Sequence, residues 1–293
     1  METGRTHQSA IFIMYASTLF FSAMGLLVKY LGNSVSSGVT VFYRSFFGVI
    51  ITGVIFFINR KKITVKNLPG LALRGFLGSV ALYSYFKAIS LIKLSDAAML
   101  CYTSPIYATL FSILFLKEKW DKWTVFTLTA ALIGIMLIIK PGFNYLAIGH
   151  IWALASGILS GAAYTSVRHL RKTDSPETIV LAFTLLGSIF FIYAPFVSPV
   201  DYNFHTILVL LLIGLCATAA QLLMTYSFKF LPTSTGSVLS LFTVFNITII
   251  AGFLFQETPD IYSVAGGITL IVCSVFLVFH NPQKKNYEYH HCP

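Results

Sequence analysis

Inside its long apolar runs this chain places one deep guanidinium, several phenols and hydroxyls, and two amides. Arg44 lies seven residues into the run 37–58, about 10 Å deep if the run is a helix rising 1.5 Å per residue. An ionisable group at that depth is costly and is functional by default. Two readings stand for it: a counter-charge for an anionic or carboxylate substrate, or a structural arginine that snorkels or ties helix ends. The run 95–116 holds Tyr102, Thr103, Ser104, Pro105 and Tyr107. Pro105 frees a backbone carbonyl, so this run either lines a path or kinks, with Thr103 or Ser104 satisfying the backbone. In the run 233–255, Ser240, Thr243 and Asn246 recur at three-residue steps and share a broad helix face. A buried asparagine there either binds a ligand or joins helices. Tyr85 and Tyr164 lie too deep for the interfacial aromatic belt and are cavity candidates, with Gln221 beside them. The expected substrate-binding set is Arg44, Tyr85, Tyr102, Thr103, Tyr107, Tyr164, Gln221, Ser240, Thr243 and Asn246.

Other chemistries lack their residues. The sequence has no Walker motif, HExxH, paired CxxC or GxSxG, so no ATP site, metal site, cofactor or enzyme activity is expected. Its ten acidic residues fall almost wholly at run ends, in loops or in tails. Cys101, Cys216 and Cys273 lie within apolar runs and read as packing residues, and His290-His291-Cys292 as a disordered end.

The surrounding elements follow from composition. Hydrophobic residues make up 56% of the 293, charged residues only 10%, and mean hydropathy is +0.80; a soluble domain carries about 25% charged residues. Ten apolar runs are each near the ~20 residues that cross a bilayer: 10–31, 37–58, 69–91, 95–116, 122–139, 149–170, 177–197, 206–229, 233–255 and 260–279. The first has no cleavage site and is expected to stay as a helix. The net charge of +10 does not signal nucleic acid, because the basic residues sit in short loops. With the N-terminus inside, fourteen Lys and Arg fall on the cytoplasmic side and four outside, which puts both termini in the cytoplasm.

A shift of 139 residues superimposes the two halves without a gap. Glu118 falls on Glu257, Gly75 on Gly214, Gly48 on Gly187 and Asp121 on Asp260. Five runs per copy invert the second copy in the membrane. The expected fold is therefore all-α and integral to the membrane, ten transmembrane helices as two inverted five-helix repeats. The repeats cover 1–141 and 142–282, and 283–293 form a cytoplasmic tail. Gly157 and Gly161 form a GxxxG, read as helix packing. Glu118 and Glu257 are read as helix caps or gate residues.

Ser104-Pro105-Ile106, followed by Phe115-Leu116-Lys117-Glu118-Lys119, resembles the EamA-type ten-helix families of the drug/metabolite transporter superfamily. Tyr43-Arg44-Ser45-Phe46-Phe47 resembles their Arg-bearing second helix, and Arg74-Gly75-Phe76-Leu77-Gly78 the start of their third. The second copy keeps Glu257 but has Val244 where the first has Pro105, which counts against a symmetrical kink. The resemblance implies a central cavity lined by helices one, three, four, six, eight and nine, with alternating access. It implies substrates such as amino acids, their derivatives, nucleotide-like metabolites and drugs. The stretch Arg74–Lys119 resembles the branch that includes S-adenosylmethionine transporters. The expected function is secondary transport of such a metabolite across a bacterial inner membrane. The expected partners are that small molecule and the lipid bilayer, not nucleic acid. The alternative is a receptor or scaffold of the same fold that does not transport.

Overall fold

Local sequence signals set the helix starts. Ser36 Oγ accepts from Val39 N at 3.4 Å, Asn67 Oδ1 from Gly70 N at 3.0 Å, Ser175 Oγ from Thr178 N at 3.2 Å and Asn203 Oδ1 from Thr206 N at 2.8 Å. Each satisfies an orphan amide of a first turn. Pro69 and Pro176 stand in first turns, where no backbone donor is needed. Asp260 Oδ1 accepts from Ser263 N at 3.0 Å. The computed structural model describes residues 2–32, 34–60, 63–104, 106–108, 110–111, 122–139, 148–171, 173–198, 200–228, 230–231, 239–257 and 259–280. Pro105, Glu118, the repeat boundary and the tail lie outside the described residues.

Among the described residues the elements are α1 (Glu2–Leu31), α2 (Ser37–Ile58), α3 (Leu68–Leu91), α4 (Leu94–Cys101), α5 (Lys122–Ile139) and α6 (Ile148–Leu170). They continue as α7 (Pro176–Phe190), α8 (Ala194–Val197), α9 (Phe204–Ser227), α10 (Phe242–Phe255) and α11 (Ile261–His280), with no strand. The broadest helix contacts join α3 to α6, α1 to α9, α5 to α11 and α2 to α7. The main apolar cluster draws on both halves, from Val39 and Phe86 to Ile213 and Ile247.

Contacts repeat in exchanged form under the 139-residue shift. Ser17 Oγ donates to Ala220 O at 2.9 Å, and its equivalent Ser156 donates to Ala81 O at 2.8 Å. A Cβ on Gly48 would lie 2.7 Å from Thr184, and one on Gly187 2.6 Å from Ser45. Gly75 faces Leu186 while Gly214 faces Phe47. Each pair maps onto the other when the halves are swapped, as a two-fold relation between them requires.

Among the described residues, four helical segments are long and apolar enough to span a membrane by length and composition: Ser9–Leu31, Ser37–Ile58, Pro176–Val197 and Phe204–Ser227. Helices α3 and α6 are as long, at 24 and 23 residues, but carry inward polar groups. Arg74, Ser79 and Ser84 on α3 and Ser156 on α6 are buried, so they lower the hydropathy without meeting lipid. The run expected at 95–116 is a helix to Cys101, interrupted at Tyr102–Thr103. The second copy breaks at Leu241, the position equivalent to Tyr102. The break is thus symmetrical despite Val244, a correction to the expectation drawn from the missing proline. Gly157 explains how the first break packs: a Cβ there would lie 2.6 Å from Thr103 Oγ1 and 2.7 Å from Leu100 O.

Candidate functional site

The broken helix, α1, α2, α3, α6, α7 and α9 line a cavity of about 80 Å³. That is room for a few waters, against ~300–1,000 Å³ for a typical small-molecule site. The four equivalent pairs Phe21/Ser160, Met24/Ala163, Arg44/Phe183 and Leu82/Gln221 contribute both members to its wall. The cavity therefore straddles the relation between the halves. Among the described residues the wall contains no Asp or Glu.

Five of the expected residues line it: Arg44, Tyr85, Tyr102, Tyr164 and Gln221. Thr103, Tyr107, Ser240, Thr243 and Asn246 do not. Thr103 Oγ1 instead donates to Leu100 O at 2.6 Å, satisfying the backbone at the helix break. Tyr107 packs beside Gly161. Thr243 is wholly buried between helices, and its carbonyl accepts from Ser22 Oγ at 3.4 Å. Asn246 Nδ2 is buried with no hydrogen-bond partner, and Ser240 is buried. These side chains sit on α10 or the turn before it, the face of which α1 and α4 cover.

The sequence reading missed Arg74, Phe183, Cys101, Ser104, Ser156 and Ser160 as wall residues. Arg74 had the same signal as Arg44, a cation several residues inside a helix. Phe183 was marked only by its equivalence to Arg44.

The two arginines define the electrostatics. Arg44 is 2% exposed and Arg74 3%. Their Cζ atoms stand 4.7 and 4.5 Å from the centre of the Phe183 ring, so the guanidiniums are within about 9 Å of each other. Nε and Nη1 of both lack a hydrogen-bond partner. Gly78 makes the arrangement fit: a Cβ there would overlap Arg74 Nη1 and fall 2.7 Å from the Phe183 ring. An arginine at a helix centre in the membrane costs about 2.5–3.5 kcal/mol on insertion scales. A cation–π contact returns roughly 0.5–2 kcal/mol. At about 9 Å the two charges repel by roughly 2 kcal/mol at an effective dielectric near 20. The aromatic ring alone does not offset these terms.

A second polar cluster sits at one end of the bundle. Lys29 Nζ pairs with Glu257 Oε1 at 2.7 Å and donates to Ile92 O at 3.2 Å. Glu257 Oε2 accepts from Leu94 N at 3.0 Å. Glu257 therefore caps α4, in the other half of the chain, rather than the helix that follows it. The left-handed Gln256 (φ 53°) ends α10 just before it. Toward the opposite ends of α3 and α6, Asp174 Oδ1 accepts from Lys66 N at 2.9 Å.

Comparisons with known proteins agree with this architecture. The pseudopaline exporter CntI of Pseudomonas aeruginosa is 26% identical over 277 residues, covering 92% of this chain and 96% of its own. The S-adenosylmethionine uptake transporter of Rickettsia bellii is 20% identical over 286 residues, covering 94% and 95%. A crystal structure at 17% identity covers 95% of this chain and 99% of its own with a TM-score of 0.64, a likeness of fold. The model of the EamA-like transporter family matches twice, over residues 8–140 and 147–280. On that double match, the chain belongs to the EamA-like transporter family of integral membrane proteins, within the drug/metabolite transporter superfamily.

Proposed function

We propose that this chain is a secondary transporter that carries a small organic metabolite by alternating access. The substrate is an amino acid, an amino-acid derivative or a nucleoside-like compound such as S-adenosylmethionine. The observation that carries the reading is the polar cavity whose wall is drawn from both family repeats. Arg44, Tyr85, Tyr102, Tyr164 and Gln221 are the binding residues. The exchanged contacts support ten spans in two inverted repeats, with a pseudo-two-fold axis in the membrane plane. The loop charges support both termini in the cytoplasm of a bacterial inner membrane. A cavity of about 80 Å³ is too small for such a metabolite, so transport requires the helices to part around it.

Proteoliposomes holding the full chain test this. Saturable flux of a metabolite from a broad panel is expected, reduced at least tenfold by Arg44→Ala and by Gln221→Leu. Folded protein that moves no member of the panel would sink the transport reading and favour a receptor or scaffold.

A further inference from the structure

Among the described residues the cavity wall carries two cations and no acid. Both guanidiniums are nearly fully buried, and both keep unpartnered N–H groups. The ion pair Lys29–Glu257 joins other helix ends. Opposite charge within the cavity must therefore come from what enters it. We propose that the cavity, widened as the helices part, binds an organic dianion with two carboxylates, one held by Arg44 and one by Arg74. This inference rests on the transporter reading above and narrows its substrate class.

Both guanidiniums lie close enough to be engaged by one ligand with two anionic centres. Each guanidinium rests on the Phe183 ring, at 4.7 and 4.5 Å from its centre. Guanidiniums within about 9 Å of each other can take carboxylates at the two ends of a short carbon chain. Arginine suits the task because its planar fork donates two parallel hydrogen bonds to one carboxylate. Phe21, Met24 and Leu82 supply an apolar wall for the chain between, and Gln221 and Tyr164 neutral polar groups. An ammonium or sulfonium, by contrast, would meet two cations and no carboxylate. Within the broader class, amino-acid derivatives with two carboxylates fit, and a net cation such as S-adenosylmethionine does not.

The test uses the purified full chain in lipid nanodiscs, melted with glutarate, 2-oxoglutarate, butyrate, glucose 6-phosphate or S-adenosylmethionine. Counterflow in proteoliposomes runs in parallel. Ligands that bind only the folded state raise the melting temperature. The dicarboxylates are expected to raise it most, with apparent affinity falling at least tenfold in Arg44→Gln and in Arg74→Gln. The proposal is overturned if neither dicarboxylate shifts the melt. It is also overturned if butyrate or S-adenosylmethionine matches them, or if their effect survives both glutamine variants. A phosphate monoester that outperforms the dicarboxylates overturns the two-carboxylate assignment. Should a glutamine variant fail to fold, Arg44→Lys and Arg74→Lys decide: a several-fold loss of dicarboxylate affinity supports the forked contact, and no loss overturns it. Dicarboxylate binding with no flux of any compound would sink the transport reading and leave this one standing. S-adenosylmethionine flux indifferent to both arginines would do the reverse.

Discussion

Arg44 can be judged by what its removal does to the empty protein. A buried ion that ties helices together through hydrogen bonds is destabilising to remove, by about 3–5 kcal/mol. Arg44 has unpartnered N–H groups and a like charge nearby. Arg44→Met should therefore stabilise the ligand-free protein, by roughly the 2 kcal/mol of repulsion it relieves, while abolishing transport. Thermal unfolding in nanodiscs checks the sign, and a fall in melting temperature would return Arg44 to a structural role. The residue was legible in the sequence because its type and depth alone make it costly. Arg74 stands at nearly the same depth, six residues from the start of its helix, and the same argument from type and depth applies to it. Phe183 was invisible among the apolar residues around it. Ser240, Thr243 and Asn246 were read as sharing a face, but nothing in a three-residue spacing says whether such a face meets a cavity or another helix.

Glycines separate packing from tolerance at the scale of helices. A Cβ on Gly214 would lie 2.6 Å from Phe47 Cβ, an atom fixed to the backbone of α2. Gly214→Ala should cost about 1–3 kcal/mol, the range for overpacking. Gly252, with nothing within 4 Å, sits in α10, where Gly252→Ala should gain about 0.5–1 kcal/mol in helix propensity. Denaturation of the two variants side by side checks the contrast, and equal effects would mean that α2 and α9 do not pack this closely. The GxxxG of α6 was readable as a packing face, and its glycines do meet the broken helix. The break itself was only half readable. Pro105 pointed to it in the first copy, yet Leu241 breaks the second without a proline. Apolar composition marked where runs lie but not where they break: the run 95–116 is a helix only to Cys101 before the turn at Tyr102–Thr103.

Across the whole molecule, Lys29 and Glu257 tie the ends of α1, α3, α4 and α10 at one mouth of the bundle. Glu257→Gln should loosen that mouth. In a Cys216→Ser, Cys273→Ser, Cys292→Ser background, Cys101 on the cavity wall is then the one remaining thiol. Its labelling by a membrane-impermeant maleimide applied from the Lys29 side should rise several-fold. Unchanged labelling would mean that the ion pair does not hold the mouth closed. The shared acid was readable as a cap or gate from the repeat, but its partner was not, because the residue it caps lies 163 positions away. The repeat was the most legible feature of all, since a constant offset needs no knowledge of any side chain's direction. It has one more consequence at Arg44 and Phe183, equivalent positions that touch each other. Had two separate half-length subunits formed this bundle, identical positions would meet there: arginine against arginine, or ring against ring. A cation lying on an aromatic ring at that point is open only to a pair of subunits free to mutate independently. Joining them into a single polypeptide gives that freedom, so the covalent link between the halves is what lets a charge rest at the centre of the molecule.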